Sequence, residues 1–441
     1  MLSDPIVALA TPPGRAALAV VRLSGDGTFD VAKRVIEDFS IEPVRTARLA
    51  GFRAEDRTLI DRGIYLIYAG PHSYTGEDSV ECTCHGGLIV PARLVTAFLA
   101  AGARMASPGE FTRRALLNGR VDLLQAEAVG DLIDATAAAQ ARSALHQLEG
   151  GLSRRLGALR EGLLEAMALL SYDLDFPEED EGAVPPARIR AALDQARREV
   201  AGLLATAPVG ERLREGALVV LAGRPNAGKS SLFNALLGTS RALVTEVPGT
   251  TRDTIEASVE VEGWPVRLAD TAGLWDAPAE LDRLGVEVSR RYLAHADLVL
   301  LCAEAGRPLG TDEERILADR PALLVRTKAD LASAGDGALA TSIVSGQGLD
   351  RLRRAVVERL FTEGQGYADL EPMLTRERHR QGLARAGAEL DAAVSLFESG
   401  GEPVLTAHHL RQATLALDEV IGVVDIEDVL DRVFSRFCVG K

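Results

Sequence analysis

A loop whose residues suit phosphate binding occupies positions 223–230, with the sequence GRPNAGKS. The apolar run 217–222 before it predicts a buried strand, and residues 231–237 after it predict the start of a helix. In this context the glycines let backbone N–H groups surround phosphate oxygens, and the helix N-terminus adds a favourable dipole. We therefore expect Lys229 to reach the outer phosphates of a nucleotide and the Ser230 hydroxyl to ligate Mg²⁺.

Two later motifs can complete the phosphate and metal site. Segment 248–253 (PGTTRD) carries threonines which, in a loop after the first helix, can ligate Mg²⁺ and sense the γ-phosphate. The predicted strand 266–269 runs into Asp270 of a DTAG motif. Its carboxylate can hold the Mg²⁺ shell, and the N–H of Gly273 can meet the γ-phosphate. Together these motifs predict a site for a nucleoside triphosphate.

A fourth motif, TKAD, follows the predicted strand 322–325 and concerns the base. The carboxylate of Asp330 can accept both the N1–H and the amino group of guanine, which adenine cannot match. The usual GTPase motif is N-K-x-D, so Thr327 predicts a lower affinity, and the departure from S-A-K at Ser342 weakens only the outer base contact. Four motifs in this order predict a GTPase, with an ATPase as the competing interpretation.

The residue that follows the DTAG motif is Leu274, where Ras-like enzymes place a glutamine that orients the attacking water. Leucine cannot do this, so another group must orient water and offset the developing charge. A monovalent cation can supply that charge, held by the amide oxygen of Asn226 and by backbone around 245–250. Alternatively, Asn226 only shapes the loop, and its chemistry leaves both interpretations open.

The elements that must position these residues fall into three kinds. Residues 1 to about 117 predict a mixed α/β region, with strands at 6–10, 17–23, 63–68 and 79–84. Within the last strand and its end, Cys82, Cys84 and His85 invite a metal interpretation. The chain offers no second ligand pair at metal-like spacing, so packing thiols are favoured.

Helical patterns flank the nucleotide motifs. Apolar residues at steps of three and four from Leu145 to Leu170 predict one long helix, and 187–204 predicts another. The acidic run 173–181 between them predicts a solvated loop, or alternatively a switch or docking loop. Helical spacing returns at 376–398 and continues from Leu410 to Phe437.

Strands and helices alternate from 213 to about 365, which predicts a parallel sheet with crossover helices. The simplest packing lets the two helical flanks form one bundle into which this nucleotide domain is inserted. The predicted fold class is therefore α/β plus all-α: a mixed α/β N-terminal domain, a helical bundle and an inserted Ras-like P-loop GTPase domain.

Composition excludes several classes of protein. A net charge of −15 argues against a chain-wide nucleic-acid footprint, so RNA binding would need a local basic patch. There is no apolar run near 18 residues and no signal-peptide pattern at the N-terminus. The four cysteines are too scattered for a disulfide framework, so a reducing cytoplasm is expected.

The chain resembles the MnmE (TrmE) family of bacterial tRNA-modification GTPases over its whole length. The segments that resemble family signatures are 10–15 (ATPPGR), 73–78 (SYTGED), 85–87 (HGG), 106–111 (ASPGEF), 125–128 (QAEA) and 175–179 (DFPEE). The closing residues FCVGK are similar to the family's C-[IV]-G-K ending, which other GTPases lack.

The resemblance implies an architecture and an activity. It implies an N-terminal tetrahydrofolate-binding and dimerisation domain at 1–117, a helical domain at 118–212 and 369–441, and a TrmE-type GTPase domain at 213–368. It implies K⁺-dependent hydrolysis of GTP to GDP by a cytoplasmic homodimer. With the FAD protein MnmG (GidA), in a heterotetramer, the family adds a (carboxymethyl)aminomethyl group at C5 of the wobble uridine of certain tRNAs. The one-carbon unit comes from 5-formyl- or methylene-tetrahydrofolate.

The resemblance also implies site residues. The implied GTP-binding residues are Asn226, Ala227, Gly228, Lys229, Ser230, Ser231, Thr245, Glu246, Val247, Pro248, Gly249, Thr250, Thr251, Asp270, Thr271, Ala272, Gly273, Thr327, Lys328, Asp330 and Ser342. The implied Mg²⁺ ligands are Ser230 and Thr251, and the implied K⁺ ligands are Asn226, Thr245, Val247 (through its carbonyl) and Thr250. The implied folate-binding residues are Arg22, Glu81, Arg120 (often Lys in the family) and Lys441.

Two further residues have implied or possible chemical roles. Besides Lys229, the implied catalytic residue is Asp282, which stands where the family usually has a water-positioning Glu. Because Asp is one methylene shorter than Glu, there are three alternatives: the loop sits closer, turnover is slower, or a neighbour such as Asp276 or Glu280 takes part. Cys438 is either a group that attacks uridine as a nucleophile or assists one-carbon transfer, or a thiol on a tail that only shapes the folate and tRNA site.

Two competing hypotheses remain at the level of sequence. One is an assembly-type GTPase that binds ribosomal RNA and performs no modification. The other is a folate-dependent one-carbon transferase in which the GTPase is only a switch. Folate affinity separates the first from a modification enzyme, and modification that survives loss of GTP turnover would point to the second.

Overall fold

The computed structural model describes residues 3–175, 185–238, 255–270, 291–333, 335, 338–362, 372–423, 433–434, 437 and 440. The chain divides into two compact units. The first unit combines residues 1–130 with 421–441, and the second comprises residues 131–420. The domain boundaries expected from the sequence assign 118–130 and 421–441 to the helical domain. The compact units group these segments with the N-terminal region instead, and the domain boundaries stay a prediction.

The first unit is built on one six-stranded sheet in the order β3-β4-β5-β2-β1-β6. Its strands are β1 (Ile6–Leu9), β2 (Leu18–Ser24), β3 (Arg48–Arg53), β4 (Leu59–Tyr68), β5 (Ser79–His85) and β6 (Arg104–Met105). Its helices include α1 (Thr28–Val35), α2 (Ile89–Ala100) and α3 (Glu110–Leu117). The four predicted strands are confirmed, although β4 begins earlier than expected. All neighbouring strands pair antiparallel except β1 and β6.

Strand alternation decides which side chains of this sheet can form a site. Cys82 and Cys84 are buried in the core that α1 and α2 help to form, as the packing interpretation predicted. Residues of odd number in β5 therefore lie on the opposite face. Arg22 in β2 pairs in register with Glu81 in β5. Their side chains consequently share the face that the core does not cover.

The helices that the structure describes from residue 123 onward include α4 (Leu123–Asp134), α5 (Ala138–Leu148), α6 (Gly151–Asp175), α7 (Pro186–Glu215), α8 (Lys229–Gly238), α9 (Thr311–Asp319), α10 (Leu349–Val357), α11 (Glu377–Glu398) and α12 (Pro403–Ile421). Helix α7 packs against α6 and α11, so segments from both sides of the nucleotide region form one bundle, as predicted. No helix within the described ranges is long and apolar enough to cross a membrane.

The prediction of a single helix from Leu145 to Leu170 was wrong. The chain leaves the helix after Leu148 and starts α6 at Gly151, because Gly150 adopts a left-handed φ of 81°. Leu145 is 47% exposed, so it does not belong to the buried stripe that continues in α6. Apolar spacing alone does not record such a break.

Helix α7 is longer than the predicted 187–204 because it continues through Pro208 to Glu215. A proline inside a helix removes one backbone hydrogen bond. Burial of Ala207 just before Pro208 and of Leu213 after it offsets that loss. Helix α12 stops at Ile421, and Gly422 after it has a φ of 87°, so the predicted helical run does not continue unbroken to Phe437.

The nucleotide motifs lie on a second six-stranded sheet, in the order β12-β11-β10-β7-β9-β8. Its strands are β7 (Ala217–Ala222), β8 (Ile255–Val261), β9 (Trp264–Asp270), β10 (Leu298–Glu304), β11 (Ala322–Thr327) and β12 (Leu339–Ala340). The predicted parallel sheet is confirmed for five of these strands. It is wrong for β8, which pairs antiparallel with β9 through a turn at Glu262 and Gly263, both at positive φ.

The β8–β9 hairpin contacts the helical segments of the same unit. The indole of Trp264 stacks on Phe361, with ring centroids 4.6 Å apart. The carbonyl of Gly263 accepts a hydrogen bond of 2.9 Å from the N–H of Ala139 in α5. Trp264 also packs against the buried Leu213 of α7. The strand that ends at Asp270 is therefore fixed to the bundle at its beginning.

Candidate functional site

The predicted phosphate loop connects the carboxyl end of β7 to the N-terminus of α8. Gly223, Asn226 and Gly228 all have positive φ, at 139°, 61° and 84°. A Cβ on Gly223 would lie 2.2 Å from the carbonyl oxygen of Cys302 in β10, so only glycine fits there. The Asn226 side chain is exposed. This backbone is the tight, strained turn that phosphate-binding loops require.

Lys229 begins α8 and is almost fully buried, with 4% of its surface exposed. Its ammonium donates to the carbonyls of Gly223 and Arg224, both at 2.9 Å. Ser230 and Ser231 follow in the first helical turn and are exposed. The loop therefore presents a fixed positive charge, helix N–H groups and hydroxyls at one point, which suits a polyphosphate and its metal ion.

Asp270 ends β9 beside the loop, since it pairs in register with Leu221 near the end of β7. It is 5% exposed. Burial raises the pKa of the neighbouring Cys302 thiol to about 12, with the Lys229 charge opposing this rise and the Asp270 charge adding to it. The charges of Lys229 and Asp270 therefore both act on the Cys302 thiol. The Asp270 carboxylate, an oxygen ligand that suits a hard cation, lies close to the phosphate loop.

The base motif lies at the carboxyl end of β11. The hydroxyl of Thr327 donates to the carbonyl of Ala227 at 2.7 Å, so this motif holds the phosphate loop directly. Lys328 has a φ of 55° and forms an ion pair with Glu304 at the end of β10. The hydrogen bond from Lys328 lowers the pKa of Glu304. Asp330 is exposed, as a carboxylate that accepts hydrogen bonds from a base must be.

Ser342 follows β12 and is fully buried, and its N–H donates to the carbonyl of Gln347 at 3.0 Å. The loop that contains it is tied to the base motif, because Ala329 donates its N–H to the carbonyl of Thr341 at 3.1 Å. The phosphate loop, Asp270, the base motif and this loop therefore gather at the carboxyl edge of one parallel sheet. Open α/β sheets bind ligands at this edge.

Several predicted residues lie outside the described residues. They are Thr245, Glu246, Val247, Pro248, Gly249, Thr250, Thr251, Thr271, Ala272, Gly273, Leu274, Asp276, Glu280, Asp282, Cys438, Lys441 and the segment 176–181. Their predicted roles in Mg²⁺, K⁺, water and folate binding stay predictions. Among the residues that the structure does describe, no group of three or more His, Cys, Asp or Glu is arranged to hold a metal ion.

A second candidate site lies in the first unit, around Arg22. Its Nε and Nη2 contact the same carboxylate oxygen of Glu81, at 2.8 and 2.7 Å. The guanidinium lies over the rings of Tyr74 and Phe111, 5.6 and 5.7 Å from their centroids. Its Nη1 also donates to the carbonyl of Gly440 at 3.5 Å. A largely buried ion pair beside aromatic rings, with side chains 17% and 23% exposed, can bind a flat, polar heterocycle.

The surroundings of this ion pair come from separate loops. Burial raises the pKa of Tyr74, whose hydroxyl hydrogen-bonds Thr112 at 2.8 Å. Arg120 is exposed, and its stem lies against Gly76 in the loop that carries Tyr74. Arg22 and Glu81 were expected here from the sequence, whereas Tyr74 and Phe111 were not. One signal in the sequence could have indicated them: segments 73–78 and 106–111 each contain an aromatic residue, in a chain with only 4% aromatic residues.

Comparisons with known proteins cover the whole chain. The family model described as the MnmE helical domain matches residues 123–438, and the model of the GTP-binding protein TrmE N-terminus matches residues 5–120. Proteins named tRNA modification GTPase MnmE from Chloroflexus aurantiacus and Moorella thermoacetica are 40% and 41% identical, over the full length of both chains in each case. The G domain of the T. maritima FeoB iron transporter is 31% identical and covers 32% of this chain and 98% of its own, at a TM-score of 0.26. The chain therefore belongs to the MnmE family of tRNA modification GTPases.

Proposed function

We propose that this chain is a K⁺-dependent GTPase that hydrolyses GTP to GDP during modification of the wobble uridine of certain tRNAs. The observation that carries the proposal is the gathering of Lys229, Asp270 and the Thr327 motif at one sheet edge. It occurs in a chain 40% identical, end to end, to a protein named tRNA modification GTPase. The ATPase alternative is disfavoured because the exposed Asp330 suits guanine.

The residues present fit the ions that this reaction needs. The exposed hydroxyl of Ser230 and the buried carboxylate of Asp270 are the hard oxygen ligands that Mg²⁺ prefers, and Thr251 would add a third oxygen. The exposed amide of Asn226 suits K⁺, which Thr245, Val247 and Thr250 would share. Such ions offset charge on the transferring phosphoryl group.

The remaining steps fall to the chain's own groups. Lys229 binds the outer phosphates, and the N–H groups at the start of α8 orient them. Asp282 would position the attacking water, in the role that Leu274 cannot fill. Water adds to the γ-phosphorus, the bond to the bridging oxygen breaks, and the proton leaves with the inorganic phosphate.

We further propose that the Arg22 site binds 5-formyl- or methylene-tetrahydrofolate. The paired charges of Arg22 and Glu81 offer donors and an acceptor to a polar ring system, and Tyr74 and Phe111 offer stacking surfaces. Arg120 and Lys441 would bind the acidic tail of the folate. A homodimer working with tRNA and the FAD protein MnmG would use this one-carbon unit, with Cys438 as a nucleophile or a shaping thiol.

The test is GTP turnover, measured as phosphate release in matched KCl and NaCl buffers. The wild-type chain should turn over faster in KCl, and Lys229→Ala should abolish turnover in both salts. Lys33→Ala is the matched control, because it removes an exposed lysine of the first unit and should leave the rate unchanged. Equal wild-type rates in the two salts would remove the K⁺ role of Asn226, and turnover by Lys229→Ala would reject the phosphate-loop assignment.

A further inference from the structure

Arg224, the second residue of the phosphate loop, forms an ion pair with helix α9, which carries none of the nucleotide motifs. Arg224 follows Gly223, and its Nη2 lies 3.2 Å from a carboxylate oxygen of Glu313. Glu313 belongs to the first turn of α9, the helix between β10 and β11. Its side chain is 8% exposed, whereas that of Arg224 is 40% exposed. The carboxylate therefore lies beneath the guanidinium, in a partly desolvated position where a charge pair has more effect than at the surface.

The carboxylate of Glu313 is itself fixed in place. The N–H of Gly310 donates to the same oxygen at 2.7 Å, which caps the start of α9. A Cβ on residue 310 would lie 2.1 Å from Nη2 of Arg224, so glycine at this position leaves the room that the guanidinium occupies. The cavity between loop and helix has a volume of about 10 Å³, which is no more than one water requires. The distance of 3.2 Å between Nη2 of Arg224 and the Glu313 carboxylate shows that the two side chains are in direct contact.

Arg224 links this contact to the phosphate side of the loop. Its own carbonyl accepts a hydrogen bond from the ammonium of Lys229 at 2.9 Å and another from the N–H of Ala227 at 3.2 Å. The ion pair that restrains the Arg224 side chain therefore also restrains the Arg224 carbonyl, which accepts a hydrogen bond from Lys229. The loop is rich in glycine, and glycine loses the most conformational freedom when a loop becomes ordered.

We infer that Glu313 is a positioning residue for the nucleotide: through Arg224 it preorganises the phosphate loop and the Lys229 ammonium. The inference rests on the proposed GTPase function and extends it to a residue outside the four motifs. Glu313 touches no reacting atom, so its effect belongs to binding and not to the chemical step. Preorganised loops bind more tightly because less ordering remains to be done when the ligand arrives.

The deciding variant is Glu313→Gln. Glutamine keeps an oxygen that can accept the Gly310 N–H, so the helix cap survives while the charge on Arg224 loses its partner. We expect about tenfold weaker binding of a fluorescent GDP analogue, mostly through faster dissociation, because loss of a partly buried charge partner acts on the off-rate. The KM for GTP should rise by a similar factor, with kcat at saturating GTP unchanged.

The matched control is Glu314→Gln, which removes a neighbouring exposed carboxylate from the same helical turn. Both variants remove one negative charge from the first turn of α9, but only Glu313→Gln removes the charge that faces Arg224. Stopped-flow dissociation of the analogue and the thermal midpoint should be measured for both. Equal dissociation rates for the two variants would overturn the inference. A lower midpoint for Glu313→Gln with unchanged dissociation would also overturn it, because Glu313 would then be only a structural cap.

A double-mutant cycle adds a second readout. Arg224→Met should weaken binding on its own, and adding Glu313→Gln to it should cause little further loss if the two side chains act as a pair. Fully additive losses would contradict the inference. Failure of the wild-type chain to bind the analogue would instead reject the proposed GTPase function, so the two failures are distinguishable.

Discussion

Thr327 links the base motif to the phosphate loop through one hydroxyl. The hydroxyl donates to Ala227 at 2.7 Å, and Thr327 is 1% exposed. The departure from the usual asparagine therefore keeps a hydrogen bond across the nucleotide site. From the sequence, this departure predicts only a lower guanine affinity, because the motif alone does not show which backbone group the hydroxyl meets.

Thr327→Val keeps the shape of the side chain and removes the donor. It leaves the carbonyl of Ala227 without this bond, so we expect the second unit to lose about 1–2 kcal/mol of unfolding free energy. Urea denaturation measures this loss, and nucleotide affinity should fall with it. Thr327→Ser is the control, since it keeps the hydroxyl. Equal stability of the valine and serine variants would show that the hydrogen bond has no net effect.

Single residues of the candidate sites were predictable to different degrees. Lys229, Ser230 and Asp270 were predictable because motif spacing fixes the backbone that carries them. Tyr74 and Phe111 were not, because their approach to Arg22 depends on how separate loops pack. Glu313 was not, because an acidic residue in the first turn of a helix is ordinary in sequence.

Helix α3 illustrates how one element is anchored by charge. Glu110 in its first turn is 5% exposed and contacts Arg104 and Arg114, the latter at 2.9 Å. Burial alone would raise the pKa of Glu110. Hydrogen bonds from Arg104, from the N–H of Ser107 and from Arg114 outweigh burial and hold this pKa below its ordinary value of 4.5. The ion pairs of Glu110 with Arg104 and Arg114 therefore exist only while Glu110 is ionised.

The stability of the first unit should consequently depend on pH. A carboxyl whose folded pKa is lowered contributes its full stabilisation above its ordinary value, here 4.5, and loses it as pH falls through the folded pKa. Asp4, whose pKa is lowered by its hydrogen bond from Arg104, acts in the same direction. Glu110→Gln should be less stable near neutral pH and should lose less stability on acidification. Thermal unfolding between pH 7 and pH 3 measures this, with Glu55→Gln as an exposed control. Parallel pH curves for wild type and Glu110→Gln would contradict it.

Some helices and strands could be predicted from sequence patterns, and others could not. The strands were predictable because buried strands are written as short apolar runs. The phosphate-loop helix was predictable because a helix follows the glycine-rich loop in this motif. The break between α5 and α6 and the hairpin of β8 with β9 depend on the φ angles of Gly150, Glu262 and Gly263. A hydrophobic period does not encode those angles, so these features were mispredicted.

At the scale of the molecule, the two compact units contain different candidate sites. The nucleotide residues belong to the second unit, and the Arg22 site belongs to the first. Ligand binding stabilises the unit that binds, by about 2.7 kcal/mol at a ligand concentration one hundred times Kd. Each ligand should therefore act on one unit more than on the other.

Hydrogen exchange with and without ligand tests this expectation. GDP should slow exchange in the core of the second unit, and 5-formyl-tetrahydrofolate should slow it in the strands β2 and β5 of the first. Arg22→Met should abolish the folate effect and leave the GDP effect intact. No folate effect on the wild-type chain would favour the assembly-type GTPase that binds RNA without modification.

Trp264, which stacks on Phe361, can serve as a fluorescent probe at the start of β9. The chain contains two tryptophans, so Trp275→Phe would leave Trp264 as the sole indole. That indole opens β9, and Asp270 closes the same strand, roughly 20 Å away at the usual rise per residue. The indole lies 4.6 Å from the Phe361 ring, so a change in this packing would change the surroundings of the fluorophore. A single strand thus connects a native fluorophore, at the bundle end, to the carboxylate at the nucleotide end.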